Sequence, residues 1–178
     1  MSKKNYVDEM ADNLVEVMKF VDSEVDYPSF DSAKKDDGVI AEWFYPIMNG
    51  DNDFSELTAI NMYVGQKSMF EEIGELMLGI GLTEMKHYGK LMEFVIKIGG
   101  KVDQKHKGSG VRLGSNAKEA IQIAIDGERK TIDFYEELKS KILSIPESKT
   151  TEIALKLLSK LIADELIHLK LLRNKIDD

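Results

Sequence analysis

The chain contains no cysteine in its 178 residues. That absence excludes disulfides, thiolate zinc sites, iron–sulfur clusters and thiol chemistry, so any redox work needs a bound metal or cofactor. Long hydrophobic runs are missing too. The longest, Leu76 to Leu82, falls far short of the roughly 20 residues that cross a bilayer, so no membrane partner is expected. Positive charge is in deficit, with a net charge of −8 and a pI near 5.0. No Lys/Arg stripe runs along any predicted helix, which argues against a nucleic-acid partner. The N-terminus lacks the basic-then-apolar form of a signal peptide, and a cytoplasmic location is expected. No stretch alternates convincingly with period two, so strands are not expected either.

What the chain does have is helical periodicity. Met10, Leu14, Val17, Met18 and Val21 form one stripe over about Val7 to Val21, and a short apolar helix is predicted around Val39 to Met48. Residues 1–50 are therefore read as an N-terminal helical extension, ending at Asn49-Gly50-Asp51. Residues 51–178 read as two helical hairpins. The first is built from helices over about Asp53–Gly65 and Phe70–Ile98, closed by Gly99-Gly100. The second runs from Asn116, which forms a capping-box-like pair with Glu119, to about Leu143, breaks around Pro146, and continues over about Thr151–Asn174. The polar connection Lys101–Gly114 is long enough to cross over the bundle. His106 within it is read as a solvated loop residue. Trp43 is read as core or as part of a homodimer interface.

The other two histidines close the same phrase, Glu84-Met85-Lys86-His87 and Glu165-Leu166-Ile167-His168. A spacing of three puts carboxylate and imidazole side by side on one helix face. A bundle-core site for two metal ions combines two such helices with one glutamate from each of two others. Equal rise per residue means that ligands at one height on antiparallel neighbours should lie symmetrically about their connecting turn. Glu165 reflects through the Pro146 turn onto Glu128, whereas Glu136 or Glu137 would move the turn into the next helix. Glu84 pairs in the same way with Glu56, about a midpoint at Phe70. All six candidate metal ligands, Glu56, Glu84, His87, Glu128, Glu165 and His168, lie on apolar stripes. Four buried carboxylates are prohibitive unless neutralised, and two divalent cations balance them while the imidazoles bind neutral. Tyr63 and Tyr135 each follow a candidate ligand by seven residues. Each is either a catalytic-site phenol donating a hydrogen bond to the cluster or an ordinary core tyrosine.

These phrases carry a resemblance. Ser55-Glu56-Leu57-Thr58-Ala59-Ile60-Asn61-Met62-Tyr63 with Thr83-Glu84-Met85-Lys86-His87 resembles the first hairpin of bacterioferritin. Ile80-Gly81-Leu82-Thr83-Glu84 is similar to the spore-coat and manganese-catalase branch. Ala124-Ile125-Asp126-Gly127-Glu128 and Asp164-Glu165-Leu166-Ile167-His168 resemble the second hairpin of rubrerythrin-type proteins. The likeness spans roughly residues 53 to 175 and implies an all-α, ferritin-like four-helix bundle with a long crossover. It implies that Glu84 and Glu165 bridge two metal ions, iron or manganese, with Glu56 and Glu128 as terminal ligands and one histidine on each metal. Rubrerythrins carry a further glutamate where this chain has Thr131, and the missing cysteines exclude a rubredoxin-like domain.

A two-metal centre cycling by two electrons can reduce hydrogen peroxide or dioxygen. A peroxidase would need a separate electron-donor protein, because this chain has no cysteine to relay electrons, whereas a catalase draws electrons from peroxide itself. The expected activity is that of a di-metal oxidoreductase of the rubrerythrin or manganese-catalase kind. The alternatives are a ferroxidase that handles iron and a metal-free helical interaction module.

Overall fold

A computed structural model describes residues 20–35, 38–48, 52–101 and 111–177. The predicted N-terminal helix up to residue 19, most of the crossover and His106 lie outside the described residues. Among those described, the regular structure is all helical: α1 (Gly38–Met48), α2 (Glu56–Met69), a 3₁₀ turn (Glu71–Ile73), α3 (Gly74–Lys97), α4 (Ala117–Leu143) and α5 (Lys149–Asp177). None of these helices is long and apolar enough to cross a membrane.

Local chemistry sets the boundaries. Ser55 caps α2, its Oγ accepting from the Thr58 amide at 3.3 Å. Asn116 Oδ1 accepts from the Glu119 amide at 2.9 Å, and the Glu119 carboxylate accepts from the Ser115 amide in return. Ser148 and Thr151 exchange bonds in the same reciprocal manner before α5. Gly99 stops α3 at φ +91°, a conformation that costs glycine nothing.

Both inner boundaries of the first hairpin depart from expectation, the helix predicted to begin at Phe70 beginning at Gly74. The helix predicted to end near Gly65 continues through Met69. Gly65 does not break α2; it admits Leu113, which a Cβ there would meet at 2.6 Å. The following turn is helical because the buried Gln66 amide clamps α2 to α4, donating to the Ala120 carbonyl at 3.0 Å. The reversal is therefore compressed into Phe70 and one 3₁₀ turn, and its centre falls between residues 71 and 72 rather than at the expected Phe70.

Packing is layered. Helices α2 and α3 run antiparallel in close contact, Gly81 lying against Tyr63 while Glu84 lies level with Glu56. Helices α4 and α5 form the second close pair. One apolar cluster gathers Phe30, Phe44, Leu91, Phe94, Leu157 and Leu161, and another Met62, Met77, Ile80, Ile121, Ala124 and Leu172. On α3 and on α5 the polar residues fall between stretches that belong to these two clusters. The outcome is a charged layer sealed between two hydrophobic plugs. Residues 20–48 take part in both, through Val21 in one and Phe30, Ile40 and Phe44 in the other.

Candidate metal centre

Helical spacing aims one carboxylate from α2 and one from α4, and a carboxylate with an imidazole from each of α3 and α5, into the charged layer. Glu56, Glu84, His87, Glu128, Glu165 and His168 are all buried there, and Glu136 and Glu137 are exposed. The six form two overlapping groups able to hold a metal ion. Glu56, Glu84, His87 and Glu165 make one; Glu84, Glu128, Glu165 and His168 make the other, with all donor atoms of a group within 4.8 Å of each other. Glu84 and Glu165 belong to both.

The distances repeat across the layer. His87 Nδ1 lies 3.0 Å from Glu84, 3.3 Å from Glu165 and 3.6 Å from Glu56. His168 Nδ1 lies 3.0 Å from Glu165, 3.2 Å from Glu84 and 3.7 Å from Glu128. Donors held about 2.1 Å from one divalent ion stand about 3.0–3.4 Å apart at octahedral or tetrahedral angles. The observed spacings are close to those of a shared ion's ligands.

Proton placement supports the same fit. His168 Nε2 contacts the Val21 carbonyl at 3.0 Å, and a carbonyl can only accept, so Nε2 carries a proton. His87 Nε2 faces Asp164 Oδ2 at 3.0 Å, with the same consequence while Asp164 is ionised. In the neutral rings both Nδ1 lone pairs then point at carboxylate oxygens, acceptor against acceptor. Only a second proton or a metal ion relieves that clash. Two buried carboxylate oxygens, Glu56 Oε2 and Glu165 Oε1, make no hydrogen bond at all. The donor set fits a divalent cation with carboxylate and imidazole preferences.

Without metal, protons substitute. Burial lowers the pKa of both imidazoles, yet the surrounding carboxylates, Glu165 and Glu84 around His87 and Glu128 and Glu165 around His168, outweigh it and raise both well above the ordinary value. Burial, reinforced by the neighbouring carboxylates, pushes Glu56 and Glu128 well up. For Glu84 and Glu165 burial acts in the same direction but loses to the facing imidazoles, and both are held down. Two protonated carboxyls, two carboxylates and two imidazolium rings leave the layer neutral.

Both candidate tyrosines reach the cluster, and they cross over to do so. Tyr63 on α2 donates to Glu128 Oε1 on α4, and Tyr135 on α4 donates to Glu56 Oε1 on α2. Burial first, then the adjoining carboxylate, raises both phenol pKa values, so both keep the proton they donate. Each terminal glutamate thus has one oxygen tied and the other facing an imidazole.

Sequence reasoning missed an outer network. Asp164 Oδ1 accepts from the Ser23 amide at 2.6 Å and from Lys160 Nζ at 2.8 Å. Lys160 is itself buried and also contacts Asp22 and the Ser23 carbonyl. Burial raises the Asp164 pKa, but bonds from His87, Lys160 and Ser23 reverse that and hold it ionised. The available signal was Lys160 and Asp164 at i, i+4 on an otherwise apolar stripe of α5. The Val21 carbonyl carried no signal, being backbone.

No family model matches this chain, and a search of curated proteins finds no match.

Proposed function

We propose that the chain is a ferritin-like four-helix-bundle protein that holds two transition-metal ions, iron or manganese, and reduces hydrogen peroxide with them. The observation that carries this reading is the pair of overlapping four-donor groups sharing Glu84 and Glu165. Glu84 and Glu165 would be donors common to both ions, with Glu56 and His87 completing one donor set and Glu128 and His168 the other. When bound, two ions each rising from +2 to +3 supply the two electrons that, with two protons, split the O–O bond of one hydrogen peroxide into two waters.

The protein's own part is to hold the donors in place and keep water out. Asp164 and the Val21 carbonyl fix the Nε2–H form of each imidazole, leaving Nδ1 to ligate. Tyr63 and Tyr135 tie one oxygen of each terminal glutamate, which would leave the other oxygen to hold a metal ion. The two apolar clusters exclude bulk solvent and strengthen every charge interaction inside. With no cysteine to relay electrons, the electrons for a further turnover would come from a second peroxide, released as dioxygen with two protons, or from a separate donor protein.

Element analysis after anaerobic reconstitution should find about two equivalents of iron or manganese per chain. The loaded protein should consume peroxide, with oxygen evolution marking a catalase and donor dependence a peroxidase. Metal content near zero would sink the reading. Aerobic oxidation of many ferrous ions per chain, with mineral retained, would replace it with iron storage.

A further inference from the structure

Resting on that reading, we infer that the seam between α2 and α4 over Gly127 is the route by which the oxidant reaches the centre, and that it admits only a neutral, water-sized molecule. Residual exposure of the ligands points to this side. His87, Glu165 and His168 are 0 % exposed, while Glu56, Glu84 and Glu128 retain 1, 2 and 4 %. The opposite face is covered by residues 21–27, whose Val21 carbonyl, Ser23 amide and Tyr27 ring lie on His168, Asp164 and Lys160 respectively. The two apolar clusters close the ends.

A small cavity touches the ligands. Glu56, Glu84 and Glu128 line it together with Asp53, Met62, Gly127 and Thr131, and it leaves about 10 Å³ for the centre of a water molecule. That is space for a single water-sized group. It shares Asp53, Met62 and Gly127 with a surface cleft of about 430 Å³. The cleft is lined by three acids, Asp53, Glu119 and Asp126, and three bases, Arg112, Arg129 and Lys130. The lining charges balance, so the cleft has no net charge of one sign to concentrate ions, which suits an uncharged oxidant better than a stream of metal cations. Thr131 narrows the inner end, its hydroxyl turned to the Phe54 and Gly127 carbonyls at 3.0 and 3.2 Å. Gly127 is the open point of the wall: a Cβ built there meets nothing within 4 Å. A larger side chain at 127 would fill the cleft where it meets the small cavity, without displacing protein.

The test compares metal-loaded wild type with Gly127→Leu, Gly127→Ala and Gly89→Leu. Gly89 is exposed on α3 and its Cβ would likewise meet nothing, so it controls for the substitution itself. Metal content should be equal in all four. Nitric oxide, a neutral diatomic probe read spectroscopically on the ferrous protein, should associate about tenfold more slowly in Gly127→Leu. Gly127→Ala should fall between, and Gly89→Leu should match wild type. Without any variant, tert-butyl hydroperoxide should react about a hundredfold more slowly than hydrogen peroxide. Unchanged nitric oxide association in a fully loaded Gly127→Leu, or equal rates for the two peroxides, would overturn the route and leave the metal reading intact. Wild-type protein that takes up no metal would overturn both.

Discussion

His87 and His168 present the same atom, Nδ1, to their carboxylates at distances that agree to within 0.1 Å across the layer. Behind the rings the likeness ends. His87 is backed by an ionised carboxylate, Asp164, which a buried lysine and a backbone amide hold in place. His168 is backed by a backbone carbonyl, that of Val21. The residue matching Asp164 in the other Glu-x-x-His phrase is Thr83, and its hydroxyl turns back onto the Gly79 carbonyl of its own helix. A repeated phrase thus builds an inner layer that is symmetric, while one Asp/Thr difference makes the surroundings unequal. A carboxylate behind an imidazole makes it a stronger donor than a carbonyl does, so the His87 half is expected to bind the first metal ion.

The largest effect should come from the residues common to both halves. Glu84→Ala or Glu165→Ala removes a donor from each group at once, and metal content should fall to near zero. Glu56→Ala or Glu128→Ala strips one group only and should leave about one equivalent. Glu136→Ala and Glu137→Ala, at exposed positions, should retain both ions. Element analysis of the purified variants checks the order. Loss of metal from Glu137→Ala but not from Glu128→Ala would mean that the cluster is not the site.

Asp164→Asn attacks the inequality itself. It keeps the shape behind His87 and removes the charge, and outer partners of this kind typically change affinity about 10–100-fold. Calorimetric titration of wild type should resolve a tighter and a weaker step. In Asp164→Asn the tighter step should weaken by that factor while the weaker one stays put. Equal weakening of both steps would show that the halves are coupled more strongly than the geometry of their surroundings suggests.

Acid and base should act oppositely on empty and filled protein. In the empty protein His87, His168, Glu56 and Glu128 have folded pKa values raised above those of the unfolded chain. Their contribution is fully present below the unfolded values and is lost as pH rises, each retained proton costing about 1.4 kcal/mol per pH unit. Glu84, Glu165 and Asp164 are shifted down and stay ionised in both states above about pH 5.5, so they add no slope there. Between about pH 5.5 and 8 the melting temperature of empty protein should therefore fall. Filled protein has exchanged those protons for metal, so its melting temperature should rise over the same range. Parallel slopes would contradict the exchange.

Much of this was legible in the residues. The Pro146 break and its reflection selected Glu128, and the structure buries that residue in the cluster while leaving Glu136 and Glu137 at the surface. The seven-residue offset placed Tyr63 and Tyr135 near the cluster because both quantities depend only on helical rise and turn. That the tyrosines would exchange partners between α2 and α4 was not legible, since helix-to-helix packing is not encoded in spacing along one helix. Gly65 misled for a related reason: a glycine reads as a breaker, yet here it serves the close approach of Leu113. The segment 21–27 was opaque because its main contribution is backbone, the Val21 carbonyl and the Ser23 amide, which any side chains could have supplied.

The smallest effects should come from the two phenols, and they test the symmetry most finely. Tyr63 and Tyr135 are both 0 % exposed and donate to equivalent oxygens of the two terminal glutamates. Tyr63→Phe and Tyr135→Phe keep the ring that packs in the layer and delete only the donated bond. Each leaves one buried carboxyl oxygen unsatisfied, a loss of about 1–3 kcal/mol of folding stability. Both variants should still take up two metal ions, because on the proposed reading each glutamate would ligate through its other oxygen. Since the inner distances match across the layer, the two losses should agree within about 0.5 kcal/mol by chemical denaturation. If Tyr63→Phe sheds one metal ion while Tyr135→Phe keeps both, the inequality is not confined to Asp164 and Val21 but reaches the terminal ligands themselves.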